Sequence, residues 1–289
     1  MSIIEKALKR LQSGGSAAQV RRVFGRVEEA AAEAAAGRKI CIDQEALRAA
    51  GLLAPRQQEQ EIASQYRQIK RPLITAAMGK GREPVPNGRL IMVASALPGE
   101  GKTFTAINLT FSIAMEKDLR VVLVDADVAK PQISKMFGVS AERGLLDAVT
   151  NPALDLERLI LPTDVPNLFL LPAGTYSDRP TELLASERMV DVMNRLLERD
   201  SNRIFIFDSP PLLLTTEAPA LAAVAGQVVV VVRAGHTEHH VLVDTLNRLP
   251  EGCSPSLVLN QSTLKSTGYY YYGYGMPVEQ DTAATSGGT

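Results

Sequence analysis

Over most of the chain, short runs of consecutive aliphatic residues alternate with segments of helical period. The runs cover 90–94, 121–124, 168–171, 204–207, 228–232 and 257–259. Between them, 103–116, 182–198 and 240–249 repeat apolar positions at helical spacing. A strand with one wet face alternates apolar and polar side chains. An unbroken aliphatic run is instead a strand covered on both faces, as in a parallel sheet packed between helices. The pattern therefore predicts a doubly wound, mostly parallel α/β domain. Its ligands belong at the sheet edge where the strands end.

Ahead of the first run the period is helical at 44–50 and again at 61–74, and Pro84, Pro86 and Gly88 then punctuate the chain. At the front, Ser2-Ile3-Ile4-Glu5 fits a capping box, with Ser2 accepting from the first turn and Glu5 reaching back. Ile3, Ile4, Ala7, Leu8 and Leu11 then share a face that Lys6, Lys9 and Arg10 avoid. A short amphipathic helix is expected over 2–12, ended by Gly14-Gly15. Its apolar face has three candidate partners: the protein's own body, a partner helix or a membrane surface. The Ala/Glu-rich stretch at 28–36 reads as a low-complexity helix or linker.

Composition narrows the class. Trp is absent and aromatics are 5% of 289 residues, so the core must be aliphatic. Cys41 and Cys253 stand far apart in no metal-ligand spacing and read as reduced thiols of a cytosolic protein. The longest apolar stretch, 221–232, contains Gly226 and Gln227 and falls short of the roughly 20 residues a membrane span needs. No charged-then-apolar leader opens the chain. Net charge is −1 but uneven: residues 1–89 hold 16 Lys and Arg against 9 Asp and Glu. A basic arm on an acidic body suits docking onto its own domain, a neighbouring copy or an anionic partner, or is ordinary solvated surface.

The chemistry begins where the first run ends, in Ser95-Ala96-Leu97-Pro98-Gly99-Glu100-Gly101-Lys102-Thr103, followed at once by helical period. Strand, loop and helix in that order are the context of a phosphate-binding Walker A loop. Its glycines let backbone N–H groups close around phosphate oxygens, and the new helix points its positive end at the same charge. Lys102 is placed to reach the β- and γ-phosphates of ATP and the Thr103 hydroxyl to bind Mg²⁺. Pro98, Gly99, Glu100, Gly101 and Phe104 complete the nucleotide-binding set. Ala96 occupies the place of the general pattern's first glycine. The second run ends in Asp125-Ala126-Asp127 and the fourth in Asp208-Ser209-Pro210-Pro211. Parallel strands bring these acids to the same edge as the loop, the Walker B arrangement for Mg²⁺.

These motifs together resemble the bacterial tyrosine kinases of polysaccharide synthesis. That family consists of P-loop proteins of the deviant Walker A type, similar to the division-site and partition ATPases. The resemblance runs from about Ile40 to Tyr274. It rests on Pro98 to Thr103, on Val122 to Asp127 with Lys130-Pro131 after it, and on Phe207 to Pro211. Arg179-Pro180-Thr181-Glu182-Leu183-Leu184 and Val258-Leu259-Asn260 add to it. The opening Met-Ser-Ile-Ile-Glu-Lys-Ala-Leu is similar to the exosortase-associated subgroup. The resemblance implies that Lys102, Asp125 and Asp127 are catalytic, Asp125 as the base for the tyrosine hydroxyl. It implies Mg²⁺ held by Thr103, Asp127 and Asp208.

Two departures stand out. Many members carry Arg two residues after the second Asp of the Asp-x-Asp pair, where this chain has Ala129 followed by Lys130. The family's Glu-x-x-Arg-x-x-Arg subunit-contact helix appears as Ser64, Arg67 and Lys70; Ser64 cannot supply the acidic partner, and Glu61, one turn earlier, is the candidate substitute.

Five of the seven tyrosines, Tyr269, Tyr270, Tyr271, Tyr272 and Tyr274, fall between Gly268 and Gly275 near a Thr/Ser/Gly-rich end. Such a segment is expected to be flexible and exposed. In the family this cluster is the phosphorylation site. The organisation expected is a helical N-terminal arm at 1–60, a P-loop kinase domain at 61–264 and a tyrosine-rich tail at 265–289. The resemblance further implies a homo-oligomer, a membrane-bound activator of the chain-length-determinant type, a tyrosine phosphatase and no nucleic-acid partner. The protein would be cytoplasmic, recruited to the inner face of the membrane, and would govern exopolysaccharide polymerisation or export. The competing reading is a non-kinase ATPase switch. Such switches usually carry a second lysine near the loop's start, where Ala96 and Leu97 stand here.

Overall fold

A computed structural model describes residues 39–81, 85–251 and 253–262. The helix expected over 2–12, the 28–36 segment, Pro84 and the tyrosines at 269–274 lie outside the described residues.

Seven strands form one sheet: β1 Leu90–Ser95, β2 Arg120–Asp125, β3 Leu161–Pro162, β4 Leu168–Leu171, β5 Arg203–Asp208, β6 Gln227–Arg233 and β7 Ser254–Asn260. Their spatial order is β3-β4-β2-β5-β1-β6-β7. Every pair is parallel except β3 with β4. All six expected strands are present, and the mostly parallel, doubly wound class holds. β1 lies inside the sheet, so the loop leaving it opens in the middle of the strand-end edge.

Side chains of each strand alternate between two cores. Leu90, Met92 and Ala94 pack on one face, where α5 (Leu145–Thr150), α6 (Pro180–Leu184), α7 (Glu187–Arg199) and α8 (Glu217–Val224) cover the sheet. Ile91 and Val93 pack on the other, beneath α1 (Gln44–Ala49), α2 (Glu59–Ala77), α3 (Lys102–Ala114) and α4 (Gln132–Met136). A ninth helix among the described residues, α9 (His239–Asn247), joins β6 to β7. Burial of each large aliphatic side chain contributes about 1.5–3 kcal/mol. The two-faced burial thus anchors β1, from whose end the loop departs.

Four features differ from the sequence pattern. The helix expected over 182–198 breaks in two, because Ser186 caps α7 by accepting the Met189 N–H at 3.3 Å. The apolar stretch 221–232 is shared between the end of α8 and most of β6. α2 runs through Pro72 to Ala77, past the expected end at 74. The packed body also starts before residue 61. Ile42, Leu47 and Leu53 are buried in the core beneath α2 and α3, and Ile40 pairs with Thr163. The Asn108 side chain on α3 donates to Leu52 O at 2.9 Å. Residues 40–54 therefore belong to the domain and not to a separate arm. No helix among the described residues is long and apolar enough to cross a membrane.

Candidate nucleotide site

The loop from β1 to α3 turns on Gly99 (φ 82°) and Gly101 (φ 98°), left-handed conformations that side-chain-bearing residues rarely adopt. A Cβ on Gly101 would stand 2.0 Å from Asn260 Nδ2, so the Asn260 side chain on β7 would have to move to admit one. That amide donates to Glu100 O at 2.8 Å. The Glu100 carboxylate is buried and turned into the base of the loop. There it accepts the Leu97 N–H at 2.8 Å and the Thr237 hydroxyl. The Glu100 side chain thus ties the loop to the β6–α9 connection. Phe104, one turn into α3, meets the Tyr66 ring at 6.4 Å and wedges α2 against α3.

At the start of α3, Lys102 Nζ lies 3.4 Å from Asp127 Oδ2 and 3.9 Å from Asp208 Oδ1. The Thr103 hydroxyl donates to Asp208 Oδ2 at 2.8 Å. Asp125 and Asp208 are register partners at the ends of β2 and β5. One edge thus gathers Lys102, Thr103, Asp125, Asp127 and Asp208, as expected from the strand ends. Asp127 Oδ1 accepts the Lys130 N–H at 3.3 Å. Asp125 Oδ2 accepts both the N–H and the hydroxyl of Ser134, each at 2.7 Å.

Burial dominates the electrostatics. It pushes the Asp125 carboxyl up to about 6, against the Ser134 donors that favour its charged form. It pushes Asp208 up to about 7, with Lys102 and the Thr103 hydroxyl opposing. Asp125 Oδ1 and Asp208 Oδ1 are buried without a hydrogen-bond partner. Two bare carboxylate oxygens and a surplus of acids over lysine fit a divalent cation. No cluster of three His, Cys, Asp or Glu among the described residues is arranged to hold a metal by itself. A hydroxyl and carboxylates beside a phosphate loop fit a cation such as Mg²⁺, which takes one or two carboxylates and fills its shell with phosphate oxygens and water.

An open groove of about 1090 Å³ runs from the loop between α2 and the β7 edge. Lys102, Thr103, Phe104, Asp127 and Lys130 line it. Asp125 has no exposed surface and lies beneath. Of the expected subunit-contact positions on α2, Arg67 is exposed and Ser64 half-buried. Lys70 is buried, bonded to Ser112 O at 2.6 Å and paired with Glu116 at 2.7 Å. It shares the inward stripe of Tyr66 and Leu73, so this third position holds α2 to α3. Ser134 and Thr237 escaped the sequence reading, since neither sits in a motif. Asn260 does sit in a motif, Val258-Leu259-Asn260, but its contact with the loop depends on tertiary position.

Fold and site together define a P-loop nucleotide-binding protein. The family model described as AAA domain matches residues 88–257. Tyrosine-protein kinase YwqD of Bacillus subtilis is 30% identical over 73% of this chain and 86% of that protein. Putative tyrosine-protein kinase EpsB of Ralstonia nicotianae is 32% identical over 64% of this chain and 24% of its own length. The chain thus spans about a quarter of such longer relatives. Among solved structures, the BceF tyrosine kinase domain matches with a TM-score of 0.58 at 25% identity, covering 79% of this chain and 86% of that one. The chain belongs to the bacterial tyrosine kinase family, within the P-loop proteins.

Proposed function

We propose that this protein is an ATP-dependent protein-tyrosine kinase. Its acceptors are its own tyrosines Tyr269, Tyr270, Tyr271, Tyr272 and Tyr274, and its role is to regulate exopolysaccharide polymerisation or export. The observation that carries the reading is the convergence of Lys102, Thr103 and Asp127 at the head of one groove, with Asp125 and Asp208 beneath. Phosphoryl transfer requires positioning and charge neutralisation more than covalent chemistry from the protein.

Backbone N–H groups of 99–103 cradle the phosphates, and Lys102 sets its charge on the β/γ oxygens. Thr103, Asp127 and Asp208 would hold Mg²⁺, which when bound neutralises charge on the transferring group. The tyrosine oxygen bonds to the γ-phosphorus as the bond to ADP breaks. The phenolic proton passes to Asp125, whose raised carboxyl lies closer to neutrality than a free aspartate's. Because Asp125 is covered in this structure, this step requires its bare Oδ1 to open to the groove.

The setting proposed is cytoplasmic, at the inner face of the membrane, with a chain-length-determinant-type activator. Copies of the chain would assemble and a phosphatase would reverse the modification. Purified protein incubated with Mg-ATP should gain phosphate on tyrosine. Phosphate released to solvent with none on tyrosine, even with a membrane activator present, would make the chain an ATPase switch instead.

A further inference from the structure

Asp125 carries two donors on one carboxylate oxygen and none on the other. The Ser134 N–H and hydroxyl both reach Oδ2 at 2.7 Å, while Oδ1 is buried and bare. Hydrogen bonds to a charged carboxylate are among the stronger ones in proteins. The serine hydroxyl has little rotational freedom, because its oxygen also accepts the Ala173 N–H at 3.1 Å. Its hydrogen is therefore directed at Asp125. Ser134 itself is buried on α4, beside the fully buried Ile133 that anchors this short helix in the core. Turning the Asp125 carboxylate away would leave the Ser134 N–H buried and unpaired, a costly arrangement. Three pieces of chain, the end of β2, α4 and the exit from β4, are thus joined through the Ser134 hydroxyl.

We propose that Ser134 is a positioning residue for Asp125. It saturates one oxygen and fixes the carboxylate plane, so that a single bare oxygen is left to take the phenolic proton once it opens to the groove. The proposal rests on Asp125 being the proton acceptor and adds the device that orients it. Nothing in the phosphate loop depends on Ser134, so its loss should slow transfer without loosening nucleotide.

The test compares single-turnover autophosphorylation rates and Mg-ADP affinity in full-length wild type, Ser134→Ala, Ser134→Cys, Asp125→Asn and the Ser134→Ala/Asp125→Asn double variant. Cysteine keeps the side chain's place but is a poor donor. The expected result for both Ser134 variants is a rate loss of about tenfold to a hundredfold, the scale of one charged hydrogen bond. Mg-ADP affinity should stay within about twofold, and Ser134→Ala should add nothing to Asp125→Asn. A wild-type rate in Ser134→Ala, full recovery in Ser134→Cys, or a parallel fall in affinity overturns the positioning role. If Asp125→Asn is slow while Ser134→Ala is not, only Ser134 loses its role. A fast Asp125→Asn removes Asp125 from the chemistry and this proposal with it. Absence of phosphotyrosine in the wild type would instead overturn the kinase reading.

Discussion

Thr103 and Asp208 join the phosphate loop to the acidic strand end: the threonine hydroxyl on the first turn of α3 donates to Asp208 Oδ2 at 2.8 Å. The contact spans 105 residues of sequence and ties two of the three proposed Mg²⁺ ligands to each other. Burial still raises Asp208 to about 7 against this hydrogen bond, with Oδ1 lacking a hydrogen-bond partner. An acid that is costly to ionise without a cation is well placed to bind one.

That cost sets a pH dependence. Asp125 and Asp208 hold their protons in the folded state up to about 6 and about 7, against an ordinary 3.8. Between roughly pH 4 and 7 the folded state therefore binds more protons than the unfolded one, and these two groups lower stability as pH rises. Asp208→Asn should raise the melting temperature of nucleotide-free protein in chelator at pH 8, and do so far less at pH 4.5. Equal differences at the two pH values would contradict the burial-driven shift.

Lys102→Met should abolish phosphate transfer and leave the circular dichroism spectrum unchanged. It removes the one charge aimed at the β/γ-phosphates while the two sheet cores stay intact. Autophosphorylation of the variant at near wild-type rate would show that Lys102 has been misassigned.

The acids should separate by role. Asp125→Asn should lower the transfer rate by about 10² to 10⁴, the usual worth of a general base, and leave Mg-ADP binding near wild type. Asp208→Asn should weaken Mg²⁺-dependent nucleotide binding, measured by calorimetry with and without the cation. Matching losses of affinity in both, with no separate rate defect in Asp125→Asn, would sink the division.

Gly101→Ala should weaken nucleotide binding by distorting the loop. The new methyl would meet Asn260 Nδ2 at 2.0 Å and sit at φ 98°, a conformation costing side-chain-bearing residues about 1–2 kcal/mol. Adding Asn260→Ala should recover the part due to collision but not the backbone part. No recovery in the double variant would place the whole cost in the backbone.

The sheet and the loop were legible because their signals are local. Two-face burial writes itself as aliphatic runs, and a phosphate loop as glycines before Lys102-Thr103. Asp125, Asp127 and Asp208 could be placed together because parallel strands end at a common edge. What stayed hidden depends on tertiary position. Ser134 and Thr237 are ordinary residues whose partners, Asp125 and Glu100, lie 9 and 137 positions away. Lys70 fell in a surface motif by spacing, yet its place between Tyr66 and Leu73 on the inward stripe of α2 gave it an internal partner in Glu116. The break at Ala185-Ser186 was masked by helical period on both sides, and the role of 40–54 by its contacts, Thr163 and Asn108, lying far along the chain.

The central claim is that this site phosphorylates the chain's own tyrosine cluster. Replacing Tyr269, Tyr270, Tyr271, Tyr272 and Tyr274 with Phe removes the acceptor hydroxyls and keeps the rings. Phosphotyrosine should be mapped by mass spectrometry after Mg-ATP treatment of wild type and variant, alongside ATP binding. Only Tyr66 and Tyr176 remain in the variant. Tyr66 is buried with its hydroxyl pushed up to about 12, and Tyr176 is 75% exposed. The account predicts phosphate on the cluster in the wild type, and nearly complete loss of signal with unchanged ATP binding in the variant. Phosphotyrosine persisting in the variant, on Tyr176 above all, would contradict it.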